Sequence, residues 1–364
     1  MKRLLCIVGS LNQGGAETFL MKLLRNFDRT EYMLDFCVMS DETGIYETEI
    51  TTLGGKIFHI VPKSRNPIKC FFEIKRIVQE NDYKSVIRVN EHSLSVLDLI
   101  AAKLGGAEKL IMRSSNTDSG SKKQRILHKL FSFLPRFVPN VKIAPSRKAA
   151  EYTFGKKNVK KGKVNFLQNG LAVEDFSFDK EIRNSLRTEL GIEDKFVVGH
   201  IGRFQKQKNH KFLIGVFKEI LVRKGNAQLV LVGGNGELLE EVKECVKAQG
   251  LVDKVLFLGN RSDVNKLLSA FDILVFPSLY EGMPNVVIEA QAAGLPCLIS
   301  DTITPEADIT GLVKYYPLEK SAKEWATEAI QQSKRFERRS YNREFCDAGY
   351  TIDAVTEKFI ELVF

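Results

Sequence analysis

Strand-like and helix-like stretches alternate along the whole chain, and this alternation limits the fold more than any other feature. Short apolar runs rich in Val, Ile, Leu and Phe end in polar turns and are followed by longer stretches with helical spacing. This is the pattern of an α/β protein with parallel sheets covered by helices. We predict strands at 3–8, 33–39, 56–60, 85–89, 109–113 and 141–144, and a second series at 195–204, 227–234, 253–260, 271–278, 296–300 and 312–316.

The two series of strands predict two doubly wound, Rossmann-like domains. A chain of 364 residues exceeds what one hydrophobic core usually organises. Between the series, the Asn169-Gly170 pair marks a turn and a hinge. We therefore expect an N-terminal domain at 1–170, a second domain at 171–345, and a C-terminal helix at 346–364 that packs on another part of the chain.

Composition narrows the class of protein. The chain is 44% apolar and 27% charged, as in ordinary soluble globular proteins. Its six cysteines are scattered singly, which favours a reducing cytoplasm and argues against structural zinc. We find neither a secretory leader nor a run of about 18 apolar residues, so we expect no integral membrane segment.

The positive charge is concentrated between residues 120 and 163. This segment holds thirteen Lys or Arg and a single acid, Glu151. Its first part, KKQRILHKLFSFLPRFV, interleaves basic and apolar residues, a pattern suited to an anionic membrane surface. A solvated helix face is the alternative. Nucleic-acid binding ranks below both, because no zinc-finger, homeodomain or RNP-type pattern accompanies the charge.

Doubly wound sheets bind ligands beyond the carboxyl ends of their strands, so the loops there are the places to search. After the first strand, SLNQGGAETF places Gly14 and Gly15 at a helix start, with Glu17 in the first turn. The two glycines would let the backbone approach a ligand closely, although a plain helix start explains them as well. The stretch is neither G-x-G-x-x-G nor a P-loop, which argues against a dinucleotide enzyme or a P-loop ATPase.

The stretch GRFQKQKNH places two cations after the first strand of the second series. Arg203 follows Gly202 directly after the strand, and Lys208 is predicted at the start of the next helix. Cations at a strand end and a helix start suit a diphosphate, whereas an ordinary basic surface loop is the alternative. The glycine turn in VGGNGELL (232–239) is by itself more typical of a tight turn than of a ligand loop.

Two glutamates bracket a helix start in YEGMPNVVIEAQAAGLP (280–296). We predict that the helix begins near Pro284, so that Asn285, Val286 and Val287 offer free backbone N–H groups to an anion. Glu281 lies in the preceding loop and Glu289 on the helix. Carboxylates suit sugar hydroxyls because they accept several hydrogen bonds.

In this order and spacing, these stretches resemble the retaining nucleotide-sugar glycosyltransferases of family 4, of the bacterial surface-polysaccharide type. The resemblance covers nearly the whole chain and also includes QNGLAVEDF and GYTI. It implies the GT-B fold, in which two doubly wound domains face each other across a cleft and the C-terminal helix packs back on the N-terminal domain. It also implies that the domain at 1–170 binds the acceptor and that the domain at 171–345 binds the nucleotide-sugar donor. It further implies that Arg203 and Lys208 hold the donor diphosphate, Glu289 contacts the ribose and Glu281 faces the donor sugar. Other expected donor contacts are Gly14, Gly15, Gly202, Gly282, Met283, Pro284, Asn285, Val286 and Val287.

The chain departs from the family in KLIMRSSNTDS (109–119). Many relatives carry a histidine in this loop, and here there is none, which rules out a histidine base at this place. The front-face route proposed for the family needs no protein base, because the leaving phosphate takes the acceptor proton. Arg113 and Asn116 become candidates for acceptor contacts. We expect no metal and no cofactor, because two side-chain cations can serve the diphosphate.

The function predicted from these residues is transfer of a sugar from a nucleoside-diphosphate sugar, such as a UDP-sugar, to a polysaccharide or lipid-linked oligosaccharide with retention. Capsule, O-antigen, lipopolysaccharide and exopolysaccharide synthesis are the expected settings. We expect a cytoplasmic enzyme at the inner face of the cell membrane, attached through 120–163, and no nucleic-acid partner. Two alternatives stay open: a sugar-nucleotide 2-epimerase of the same architecture, and a nucleic-acid-binding protein that uses the basic segment.

Overall fold

The computed structural model describes residues 1–12, 14–90, 93–114, 131–234 and 236–364, and these form two compact units. The first unit comprises Met1–Gly170 and Gly349–Phe364, and the second comprises Leu171–Ala348. The division follows Gly170, whose φ of +66° suits a glycine turn.

The first unit is built on a parallel sheet with the strand order β3-β2-β1-β4-β5-β6-β7. Its strands are β1 (Lys2–Val8), β2 (Tyr32–Val38), β3 (Ile57–His59), β4 (Ser85–Asn90), β5 (Lys109–Ser114), β6 (Val141–Ala144) and β7 (Asn165–Phe166). Its helices are α1 (Gly15–Asn26), α2 (Glu47–Thr52), α3 (Pro67–Glu80), α4 (Val96–Leu104), α5 (Leu134–Phe137), α6 (Arg147–Phe154) and α7 (Lys156–Lys160).

The second unit repeats this architecture with the strand order β10-β9-β8-β11-β12-β13. Its strands are β8 (Phe196–Ile201), β9 (Ala227–Val232), β10 (Val255–Phe257), β11 (Ile273–Phe276), β12 (Cys297–Ser300) and β13 (Val313–Tyr316). Its helices are α8 (Lys180–Glu189), α9 (His210–Lys224), α10 (Leu239–Ala248), α11 (Val264–Ala270), α12 (Asn285–Ala292), α13 (Ala322–Gln332) and α14 (Asn342–Asp347).

The last helix, α15 (Ile352–Val363), belongs to the first unit. Its Phe359 ring lies 5.9 Å from the Phe19 ring and 6.2 Å from the Phe27 ring, centroid to centroid. Asn26 on α1 donates to Thr356 at 3.1 Å. The apolar face predicted for the chain terminus is therefore covered by α1.

Helices cover both faces of each sheet, which explains why the strands are apolar runs rather than alternating ones. In β1, Leu4, Cys6 and Val8 pack into one core, while Leu5 and Ile7 pack into the core on the other face. Every predicted strand is present with shorter or similar bounds. The two-residue β7 was not predicted, because it is too short to give a periodic signal.

Each strand order contains one point where the chain changes its direction of winding. Connections from β1 lead outward through β2 and β3, and β4 then starts on the other side of β1. In the second unit β8 and β11 have the same relationship. The loops after such a pair of strands separate and leave a crevice at the carboxyl edge, where doubly wound proteins bind ligands. In the described part of the chain, no helix is long and apolar enough to cross a membrane.

Candidate functional site

The loops after β8 and β11 are joined by hydrogen bonds at the crevice of the second unit. Leu279 N–H donates to the Gln207 carbonyl at 2.8 Å, and the Gln207 side chain donates to the Tyr280 carbonyl at 2.8 Å. The Asn209 amide donates to the Pro277 carbonyl at 3.2 Å. These hydrogen bonds hold the two loops side by side and bring the predicted cation, Lys208, close to the predicted acid, Glu281.

Lys208 and Glu281 form an ion pair at this place. The Lys208 ammonium lies 2.7 Å from Glu281 Oε1, and the side chains retain 17% and 9% of their full exposure. The same ammonium lies 4.5 Å from the centre of the Phe276 ring, a cation–π distance. A half-buried lysine therefore holds its charge in one place beside a carboxylate, which suits recognition of a charged ligand.

The backbone at Lys208 differs from the predicted helix start. Lys208 ends a short 3-10 turn (Lys206–Lys208), and α9 begins only at His210. Asn209 between them has φ of +56° and ψ of 42°, the left-handed conformation that Asn tolerates better than most residues. The left-handed residue stops the turn from running into α9, so Lys208 precedes the helix instead of opening it.

Gly202 leaves room for the Lys208 stem. A Cβ at Gly202 would lie 3.0 Å from Lys208 Cε and 3.1 Å from its Cδ, closer than ordinary contacts. Arg203, the next residue, is exposed on the same loop. The structure thus places both predicted cations on one loop, with Lys208 fixed and Arg203 at the surface.

Gly233 and Gly236 support this loop. A Cβ at Gly233 would clash with the Gly202 carbonyl, and one at Gly236 would clash with the Phe204 carbonyl. Leu238 N–H donates to the Phe204 carbonyl at 3.0 Å. Close backbone packing against the cation loop therefore explains these glycines.

The start of α12 lies where it was predicted, near Pro284, and it corrects the prediction made for Val287. Pro284 is the N-cap, with φ of −80° and ψ of 95°, and the helix begins at Asn285. Val287 N–H donates to the Pro284 carbonyl at 3.0 Å and is not free for an anion, because the first turn is tightened. Asn285 and Val286 stay at the helix start, and Glu289 is half-buried on the same helix. Gly282 and Met283 are half-buried in the preceding loop, and Pro284 is buried.

Gln291 braces α12 and was not predicted. Its buried amide accepts from Ile309 N–H at 2.8 Å and from the Thr310 hydroxyl at 3.0 Å, and it donates to the carbonyls of Val287 at 3.0 Å and Ala307 at 2.7 Å. These bonds fasten α12 to the loop after β12. The sequence signal for this role was a polar residue, Gln291, among the small residues of EAQAAG. Its partners in the loop 307–310 are distant in the chain, so the signal did not identify the role.

In the first unit, the glycine pair lies at the crevice beside β1. Gly14 is the N-cap of α1 in an extended conformation, and Gly15 is the first helical residue. Among the described residues, a Cβ at Gly15 would meet no heavy atom within 4 Å, whereas one at Gly14 would clash with Glu17. Gly15 is exposed at the helix start, and the predicted ligand contacts of the two glycines stay a prediction.

Arg113 is buried at the end of β5, with 2% exposure. Its guanidinium lies 3.8 Å from the centre of the Phe19 ring and donates to the Asn169 side chain, while its Nε has no hydrogen-bond partner among the described residues. Burial lowers the pKa of Arg113 to about 9, so the group is still charged at neutral pH. Asn116 lies outside the described residues, and its predicted acceptor contact stays a prediction.

Within the described ranges, no group of three or more His, Cys, Asp or Glu side chains is placed to hold a metal ion.

Comparison with known proteins identifies the family. The sequence profile of the family described as glycosyl transferases group 1 matches residues 182–331. The chain is 33% identical over 331 residues to the putative glycosyltransferase EpsF of Bacillus subtilis, covering 89% of this chain and 86% of that protein. It is 26% identical over 241 residues to the UDP-Gal:alpha-D-GlcNAc-diphosphoundecaprenol alpha-1,3-galactosyltransferase of Escherichia coli. This match covers 64% of this chain and 62% of that protein. The chain belongs to the glycosyl transferases group 1 family and is a glycosyltransferase.

Solved structures confirm the predicted fold class. Anabaena HepE, crystallised with UDP and glucose, superposes with a TM-score of 0.81 at 18% identity over 99% of both chains. Sucrose-phosphate synthase from Thermosynechococcus elongatus superposes with a TM-score of 0.78 at 15% identity, covering 100% of this chain and 98% of that one. Both likenesses match the two parallel-sheet, Rossmann-like domains of GT-B proteins.

Proposed function

We propose that this enzyme transfers a sugar from a UDP-sugar to a lipid-linked or polysaccharide acceptor and retains the anomeric configuration. The observation that carries the proposal is the Lys208–Glu281 pair, placed where the loops after β8 and β11 separate. A cation and a carboxylate side by side suit the two ends of a sugar diphosphate bond: phosphate oxygens on one side and sugar hydroxyls on the other.

Lys208 and Arg203 stabilise the leaving diphosphate. Negative charge develops on the diphosphate as the glycosidic bond breaks, and fixed cations lower the energy of that state most. The Lys208 ammonium has three N–H donors, of which one is directed at Glu281, so others can serve phosphate oxygens. Arg203, exposed on the same loop, adds a second cation.

The remaining donor contacts follow from the positions of the loops. Glu281 orients the sugar from its place beside Lys208, and Glu289 on α12 holds the ribose. Gly282, Met283, Pro284, Asn285 and Val286 shape the wall of the donor site. From the family resemblance we also propose donor contacts at Gly14 and Gly15 and acceptor contacts at Arg113 and Asn116.

Retention follows the front-face route, in which the leaving phosphate takes the acceptor proton. This route asks the protein for cations that stabilise the phosphate and for no general base, which fits the groups found at the β8–β11 crevice. The anomeric proton coupling of the transferred sugar in the product, measured by NMR and compared with the anomeric configuration of the donor, tests this assignment. Inversion would contradict it.

The acceptor side is proposed from relatives and from charge. The Escherichia coli relative is named for a diphosphoundecaprenol acceptor. Within 120–163, the Phe137 side chain is 79% exposed, and Asn158 on α7 donates to the carbonyl of the preceding residue, Arg136, at 3.4 Å. An exposed aromatic ring in the same basic segment as the exposed lysines of α7 suits attachment to the inner face of the cell membrane.

The test is a panel of nucleotide-sugars, screened first by thermal stabilisation and then for product with and without lipid-linked acceptors. We expect one UDP-sugar to raise the melting temperature, since a ligand at 100 times its Kd adds about 2.7 kcal/mol. Product should form only when an acceptor is present. An epimerised sugar formed from the donor alone would identify an epimerase instead.

A further inference from the structure

Two buried histidines lie beneath the cation loop, and neither belongs to the donor contacts described above. His200 is on β8 and His210 is the first residue of α9; they are 0% and 3% exposed. Among the residues that the structure describes, three of their four ring nitrogens have no hydrogen-bond partner. Unpaired buried polar atoms are costly, so a histidine at position 200, whose ring does make one hydrogen bond, calls for a reason that an apolar residue would not satisfy.

His200 joins the two strands that flank the crevice. Backbone pairing between β8 and β11 covers Val198 with Ile273 and Gly199 with Leu274. At the next pair of residues, a side-chain hydrogen bond replaces the backbone pairing, because His200 Nδ1 lies 2.9 Å from the Val275 carbonyl. A carbonyl only accepts, so Nδ1 carries the proton and donates. A side chain thus bridges the strands where their loops begin to diverge.

The same ring belongs to a stack that supports both ends of the cation loop. The Phe204 and His210 rings are 4.6 Å apart, and the His210 and His200 rings are 4.8 Å apart. His200 then stacks on Phe276 at 5.5 Å, and the Lys208 ammonium lies over Phe276. The stack therefore runs from the residue next to Arg203 to the ring beneath Lys208.

We propose that His200 is a positioning residue: its bond to Val275 sets the spacing of β8 and β11 at the crevice, and its ring supports the loop that carries Arg203 and Lys208. His210 fills the space between the Phe204 and His200 rings, and we infer that the shape of its ring supports the loop, not hydrogen bonding by its nitrogens. The structural part of this inference concerns the loop 202–209 alone. Its catalytic part rests on the proposed function.

Three substitutions at His200 separate the hydrogen bond from the packing. His200→Asn can place an amide N–H near the position of Nδ1, His200→Gln places it farther out, and His200→Leu removes it while keeping an apolar side chain. His210→Phe is the matched control, because it keeps a ring in the stack and has no nitrogens. Backbone amide hydrogen exchange of 202–209 is measured without any ligand, and kcat and KM for the donor are measured beside it.

We expect exchange in 202–209 to accelerate about tenfold or more in His200→Leu and to return close to wild type in His200→Asn. The value of kcat/KM should fall by about 10- to 100-fold in His200→Leu, because small misplacements of binding groups are costly. His200→Asn should recover most of this loss, and His210→Phe should stay within about threefold of wild type in both measurements. Exchange in β9 and α13 should not change.

The inference is overturned if 202–209 exchanges alike in wild type and His200→Leu, or if Asn is as impaired as Leu. Should His200→Leu fail to fold, the comparison of Asn with Gln decides: equal exchange rates in 202–209 would overturn the inference. If exchange follows the expected order while the wild type uses no nucleotide-sugar, the positioning role stands and the proposed function fails.

Discussion

The Lys208 ammonium donates to Glu281 Oε1 at 2.7 Å and thereby links the loop after β8 to the loop after β11. The family resemblance implies that these two residues contact different parts of one donor, the diphosphate and the sugar. The structure brings the two side chains together at one point of the crevice. Since the pair is largely buried, removing either partner leaves a charge without its counter-ion, which costs stability as well as function.

Glu289→Ala should weaken donor binding and spare turnover. The ribose does not change during the reaction, so a hydrogen bond to it is equally strong in the ground state and in the transition state. Loss of the hydrogen bonds between the ribose and the charged Glu289 carboxylate should raise KM for the donor by about 10- to 100-fold, with kcat nearly unchanged. Steady-state kinetics test this, with Glu240→Ala on exposed α10 as the control. A fall in kcat alone would contradict the ribose assignment.

Gly202→Ala should displace the Lys208 stem. The new Cβ would lie 3.0 to 3.2 Å from three carbons of that side chain, which must shift to make room. We expect kcat to fall by about tenfold, because the ammonium moves relative to the diphosphate. Gly215→Ala on α9 is a matched control, since its Cβ would lie 3.7 Å from Ala322 Cβ, an ordinary contact. Equal kcat values for the two variants would show that the Lys208 stem does not need the space at Gly202.

Stability should fall as the pH drops below about 6.5, the ordinary value for histidine, because of the buried pair His200 and His210. Burial lowers the pKa of His210 to about 4 and lowers that of His200 as well, with the neighbouring ring and Lys208 adding repulsion. The unfolded chain then binds more protons than the folded one, so acid favours unfolding. His210→Phe should weaken this dependence between pH 6.5 and pH 4.

His59 provides a control of opposite sign for the pH experiment. Hydrogen bonds to the Ser40 carbonyl and Glu47 raise the pKa of His59, so the stability that it contributes is present at low pH. That contribution is lost as the pH rises through the folded pKa. Urea unfolding of His210→Phe and His59→Gln from pH 4.5 to 8 measures both effects. Parallel curves for the two variants would contradict the assigned directions.

Membrane attachment should depend on exposed residues of the described part of the basic segment. Replacing Lys156, Lys157, Lys160 and Lys161 with glutamine should weaken binding to anionic vesicles by about 1 kcal/mol per lysine. Phe137→Ser should weaken it further, because the ring is 79% exposed. Lys243→Gln with Lys247→Gln on α10 is the control. Vesicle cosedimentation that is equal for all variants would leave the segment as a solvated face.

Much of the fold could be predicted from local sequence signals. Buried parallel strands are apolar runs, so the position of every strand longer than two residues followed from the sequence. The C-terminal helix was visible from the spacing of Ile352, Val355 and Phe359. Its packing against α1 depends on contacts with Phe19 and Phe27, more than 300 residues away, and local periodicity carries no such information.

The sequence predicted which residues would lie at the candidate site better than it predicted the backbone conformation there. Arg203, Lys208 and Glu281 follow strands that the sequence reveals, and the strand order brings them to one crevice. The left-handed Asn209 and the N-cap position of Pro284 depend on backbone dihedrals that several neighbouring bonds decide together. His200 and Gln291 escaped notice because their partners, Val275 and the loop 307–310, are distant in sequence.

The turnover rate of Lys208→Ala and Arg203→Ala at saturating donor tests most directly whether the β8–β11 crevice holds the leaving diphosphate. Both cations should act more strongly on the transition state than on the bound donor, because charge grows on the diphosphate as the bond breaks. We predict that kcat falls by about 100- to 1,000-fold in each variant, as when a preorganised electrostatic donor is removed from an active site. Turnover equal to wild type in both variants would contradict the account.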